Sequence, residues 1–207
     1  MPKREKLSNA GIVQTAMAMI DLEGEKAFSM RKLAAALNVD PMAIYHHHAN
    51  KGALIHAVME ALMAAFEAPA QTGDWRDDLR ALCTALRDLA NRHPGSFRIY
   101  ETYEKWVASE HQVREAFHST LLNAGFSRRS TVRATRLLVA YTEAFAVDEI
   151  SGWLDPEDEA ILAKSLEQGP YPVTTDLIGE MASPEPDAEF TFGLNVLLRG
   201  LEAEQMG

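Results

Sequence analysis

The stretch Ser29–Leu54, SMRKLAAALNVDPMAIYHHHANKGAL, decides how the chain reads. Ser29 is a good helix N-cap, and Leu33, Ala34 and Leu37 behind it repeat at the spacing of one buried helical face. The NVD that follows marks a tight turn. Pro41 suits the first turn of a second helix, where its missing N–H has no partner to lose. Asn50 can cap a third, with Leu54, Ile55, Val58, Leu62 and Phe66 on its apolar face. Helix, tight turn and helix over residues 29–48 have the proportions of a helix-turn-helix. Pro41, Met42 and Ala43, small or exposed, start its second helix and let the backbone approach the floor of a DNA major groove. An ordinary packing corner has the same periodicity.

The three histidines invite a metal reading, which helix geometry disfavours. Successive helical residues point about 100° apart, whereas convergent ligands need i, i+4 spacing. Solvation at a helix end, or donation to phosphates by Tyr45 and His47 with Lys51 adding charge, fits the pattern better.

Working outward, Ser8 or Asn9 can cap a helix that runs through Ile12, Val13, Ala16, Met19 and Ile20 and ends at Gly24. Beyond a break at residues 68–75, helical periodicity returns over 74–92, 95–107, 111–124, 129–153 and 156–168. GPYPVTTD and MASPEPDAE bracket a segment expected to lack order. A last helix over about 188–204 follows. Strand-like alternation is nearly absent, so the fold class is all-α: a three-helix module over 1–52 and a larger helical body over 53–207.

The 207 residues carry a net charge of −10, which argues at first against a nucleic-acid partner. The distribution reverses that inference. Residues 1–51 hold seven Lys/Arg and five Asp/Glu, a net of +2, so all the excess acid lies in the body. A single cysteine, Cys83, excludes an internal disulfide and agrees with a cytoplasmic setting. No signal peptide or membrane span is expected. Dinucleotide, phosphate-loop, nucleophile-elbow and zinc-protease motifs are missing. A hydrolase, or a helical carrier without DNA binding, is the competing class.

MRKLAAALNVDPMAIYHHHANKGALIHAV resembles the DNA-binding segment of the tetracycline-repressor (TetR) family, and EFTFGLNVLLRGLEA resembles the closing helix of its tetracycline-repressor branch. The resemblance implies a homodimeric repressor that binds double-stranded operator DNA and responds to a small-molecule effector, with no cofactor. It implies phosphate contacts at Arg31 and Lys51, backbone contacts at Tyr45 and His47, and base contacts at Pro41, Met42 and Ala43. Ser29, Met30 and His46 complete the expected DNA-binding set. Met30 and Pro41 stand where the tetracycline repressor has polar residues, which implies a different operator.

The family's drug-chelating histidine and threonine have no match near Tyr100 and Tyr103, so a magnesium–tetracycline ligand is not expected. His111, Glu115 and His118 share a helix face, where a solvated network is the simpler reading than a metal. Tyr100, Tyr103, Trp106, Phe117, Tyr141 and Phe145, with Cys83 and Leu86, are the expected lining of a mostly apolar effector cavity; plain core is the alternative. The apolar stripes Leu137–Leu138 and Phe190, Leu194, Leu197, Leu198, Leu201 are the expected dimer interface.

Overall fold

A computed structural model describes residues 7–102, 107–153, 159–167 and 169–206. They form α-helices, with no strand among them: α1 (Asn9–Glu23), α2 (Met30–Ala36), α3 (Pro41–Tyr45), α4 (Lys51–Ala64), α5 (Trp75–Arg92), α6 (Pro94–Thr102), α7 (Glu110–Asn123), α8 (Arg128–Ile150), α9 (Glu159–Leu166), α10 (Pro172–Asp176), α11 (Ile178–Met181) and α12 (Pro186–Met206). The all-α expectation holds. No described helix is long and apolar enough to cross a membrane.

Local chemistry explains the first starts. Ser8, Ser29, Asp40 and Asn50 each turn a side-chain oxygen back onto an N–H of the helix they precede. The segment read as lacking order contains α10 and α11 instead. Pro172 sits at the first position of α10, a placement that favours helix.

The chain divides into two compact units, Met1–Arg136 and Leu137–Gly207. In the first, α1 packs on α4 and α6, α4 also meets α7, and α5 lies against α6 and α7. The three-helix module is therefore continuous with the helices after it. Ile12, Ile20, Leu33, Ile44, Leu54, Ile55 and Leu62 are fully buried in this unit. In the second, α9, α10 and α11 touch one another, and α12 meets the later turns of α8 through Tyr141.

Candidate nucleic-acid interface and effector domain

The turn between α2 and α3 closes through Asn38, whose φ of 52° is a left-handed conformation that asparagine tolerates. The Val39 N–H then returns to the Ala34 carbonyl at 3.0 Å. Ser29 Oγ accepts from the Lys32 N–H at 3.2 Å, and the Asp40 carboxylate accepts from the Met42 N–H at 2.8 Å. Leu33, Ala34 and Ile44 are buried between the two helices and the rest of the module. That fixes what α3 shows to solvent. Pro41, Met42, Tyr45, His46 and His47 are exposed, with Met42 at 61%, while Ala43 is half-buried.

Arg31 is exposed on α2, whereas Ser29 is half-buried with its hydroxyl engaged in the cap. Met30 departs from the expected groove-facing position. It shares a helix face with Leu33 and Ala34, and that face turns inward, leaving Met30 only 8% exposed. Lys51 carries structural duties at the module's edge. Its ammonium donates to the Glu25 carbonyl at 3.3 Å, lies 3.6 Å from the Glu25 carboxylate and stands 5.7 Å from the Phe28 ring centre.

The histidines diverge: His46 and His47 face solvent, and His48 turns inside, its Nε2 without a hydrogen-bond partner. Burial, and then the neighbouring His47, push His48 below its ordinary range and favour the neutral ring.

Two sets of contacts tie α1 and α4 to later helices of the first unit. At the first, the Asp21 carboxylate on α1 pairs with His93 Nδ1 at 2.9 Å and accepts from the Ser96 N–H at 2.8 Å. It thereby caps α6 from outside. Gly95 is required there, because a Cβ would collide with the Ile20 carbonyl and lie 2.8 Å from Asp21 Cα. At the second, Glu60 on α4 accepts from the Ser109 hydroxyl at 2.6 Å and from the Ala108 and Ser109 N–H groups. Burial alone would raise Glu60, but these bonds and the His56 charge outweigh it and hold the carboxyl below its usual range. Neither set was anticipated. Asp21 and His93 are 72 residues apart, and no local pattern links them.

On the effector side, Cys83, Leu86, Tyr100 and Phe117 are all buried in the first unit. Tyr103 and Trp106 lie outside the described residues. Tyr141 and Phe145 belong to the second unit, where both pack on Phe190 with ring centres 5.6 and 5.2 Å away. The Tyr141 hydroxyl donates to the Phe190 carbonyl at 2.9 Å and occupies the space a side chain at Gly193 would fill. That contact accounts for the glycine of the FGL sequence in α12.

The stripe expected at a dimer interface is only partly available. Leu138, Phe190, Leu194, Leu198 and Leu201 are buried within the chain itself, and Leu197 is half-buried. Leu137, at 46% exposure, does face outward, as do Phe192 at 71% and Val196 at 53%, which lie outside the expected stripe. Their i, i+4 spacing on α12 was the available signal.

Comparison with known proteins is consistent along the chain. Residues 12–58 match the family model of bacterial regulatory proteins, tetR family, and residues 68–205 match the tetracyclin repressor-like C-terminal domain. The HTH-type transcriptional repressor DrrR1 of Streptomyces coeruleorubidus is 28% identical over 92% of this chain and 76% of its own. The class A tetracycline repressor from transposon 1721 in Escherichia coli is also 28% identical, covering 97% of this chain and 93% of that protein. Among solved structures, Streptomyces coelicolor ActR in complex with actinorhodin superposes with a TM-score of 0.82 at 25% identity, over 97% of this chain and 99% of ActR.

Proposed function

The chain belongs to the tetR family of bacterial regulatory proteins, and from that membership we propose how this effector-responsive transcriptional repressor works. It binds a palindromic operator as a homodimer in the cytoplasm and is released by a small, largely apolar or aromatic ligand. It performs no catalysis. Residues 1–52 act as the DNA-binding module and 53–207 as the effector and dimerisation body.

The observation that carries this reading is the outward face of α3. Met42, Tyr45, His46 and His47 are presented to solvent on a short helix fixed from behind by Ile44. In this reading Pro41, Met42 and Ala43 meet base edges. Tyr45, His46 and His47, with Ser29 and Arg31 on the neighbouring helix and Lys51 beyond, hold phosphates. Met30 supports the module from its core.

Cys83, Leu86, Tyr100 and Phe117 supply the apolar setting for the effector. Exposed Leu137 on α8 and exposed Phe192 and Val196, one turn apart on α12, support a second copy as the partner, since exposed apolar surface marks association. Release follows from linkage. A ligand that prefers the conformation unable to bind DNA moves α4 and α6, both of which pack on α1. A ligand with equal affinity for both conformations shifts nothing.

The test is selection of bound duplexes from a random pool, followed by titration over a range of salt. Lys51→Ala should weaken all duplexes alike and lower the slope of log affinity against log salt by about one. Met42→Ala should change sequence preference and leave the slope alone. Absence of any salt-dependent duplex binding would end the proposal.

A further inference from the structure

A groove of about 410 Å³ runs between α7 and the first turns of α8. One wall carries Glu115, His118 and Leu122, and the other carries Arg128, Thr131 and Val132. Its place in the unit follows from α5. The C-terminal end of α5 reaches α1 through His93, while Trp75 at its start stacks edge-on against Phe126, 5.2 Å away, just before α8. Eighteen helical residues span about 27 Å, so the groove lies near the end of the unit remote from α3.

Three features mark it as a built site. Thr131, which lines the groove, is 2% exposed, yet its hydroxyl has no hydrogen-bond partner. Buried hydroxyls without partners are costly and are ordinarily satisfied. Second, charge gathers at one wall. At about 100° per residue, Arg129 and Arg136 lie within roughly a quarter turn of Arg128, which faces the groove. All three are exposed and form no ion pair among the described residues. Third, Leu122 at 47% and Val132 at 40% leave apolar surface open on both walls.

We propose that this groove binds the polar end of the effector, and that the effector is a hydroxylated organic acid on an apolar or aromatic frame. The proposal rests on the effector-responsive reading above and names the ligand class. Arg128 takes the acidic group, with Arg129 and Arg136 setting a local field that favours an anion despite the acidic body. Thr131 completes its missing hydrogen bond to the same group. Glu115 accepts from a ligand hydroxyl, with His118 beside it, and Leu122 and Val132 cover only the part of the frame next to the groove.

The test uses the full chain with hydroxynaphthoate, its methyl ester and the parent naphthoate as probes, followed by calorimetry. The acid should bind saturably. The ester should bind at least about tenfold more weakly, as should the acid to Arg128→Ala. Glu115→Gln should erase the advantage of hydroxynaphthoate over naphthoate. Thr131→Val should lose affinity without losing stability, because it removes a buried hydroxyl that has no partner. A merely structural threonine would leave affinity unchanged.

Equal binding of acid and ester, full affinity in Arg128→Ala, or no saturable binding of the acid at millimolar concentration would each overturn the proposal. A protein that binds its operator, ignores the acid and is released by a neutral compound defeats the groove assignment alone. One that binds no duplex defeats the regulator reading instead.

Discussion

The two compact units treat apolar surface differently. Among the described residues, the second unit exposes nine large hydrophobic side chains and the first only five, although the first is nearly twice as long. The five have local explanations for the most part: Met42 and Tyr45 face outward from α3, and Leu122 and Val132 flank the groove. The nine include Trp153, Ile161, Val173, Phe192 and Val196. Capping differs too, although α7 of the first unit also begins without a side-chain cap bond from its N-cap residue. Ser8, Ser29, Asp40, Asn50 and Asp74 cap helices of the first unit with side-chain oxygens, whereas α10 and α11 begin without side-chain caps. The first unit closes on itself. The second leaves more of its apolar surface open.

The strongest way to break this contrast is Phe192→Glu with Val196→Glu. Both positions are exposed within one chain, so each protomer should keep its helix content. Sedimentation should show monomers, and operator affinity should fall at least about a thousandfold, because one module then reads one half-site. A persistent dimer would show that the second unit associates by another face. Leu201→Glu is the informative contrast. Leu201 is 8% exposed and should unfold its unit rather than merely separate two copies.

Gly95→Ala probes the closure of the first unit. The added methyl meets the Ile20 carbonyl and the α1 backbone, neither of which moves cheaply. The expected loss is about 1–3 kcal/mol in denaturant unfolding. An unchanged midpoint would mean that α1 and α6 do not pack as described.

Ser109→Ala should cost about 1–2 kcal/mol near neutral pH by removing a hydrogen bond to the Glu60 carboxylate. The sign of its pH dependence is fixed. Glu60 is held below its ordinary value of 4.5, so its contribution is complete above that value. It is lost as pH falls through the depressed folded-state value. The difference between wild type and variant should therefore shrink in acid. A gap that stays constant with pH would assign the serine a different role.

The smallest expected effect belongs to the second unit. Tyr141→Phe removes the bond to the Phe190 carbonyl and leaves the ring stack in place, at a cost of about 1 kcal/mol.

What the sequence revealed, and what it hid, follows the range of the forces involved. Local signals were easy to read. Ser8, Ser29, Pro41 and Asn50 act within one helical turn of themselves, and each starts a helix as expected. Faces were harder. Met30 was placed at the groove by likeness to a relative's position, while its spacing from Leu33 and Ala34 already placed it on the buried face. On α12 the apolar residues are numerous enough to form two rows. Periodicity alone does not say which row packs within the chain and which stays exposed. The latch among Asp21, His93 and Ser96 was out of reach, because residues far apart in the chain meet there through the packing of α1 on α6.

The buried Cys83 has a practical consequence. It is the chain's only thiol, and it is fully enclosed on α5, the helix that runs from the His93 latch to the Trp75–Phe126 contact. A thiol reagent can react there only when the surroundings of α5 open, so its labelling rate acts as a clock for that opening. A compound that settles into the first unit should slow the clock, and one that acts only on the second should leave it running. The native protein thus contains a single-site reporter that needs no engineered label.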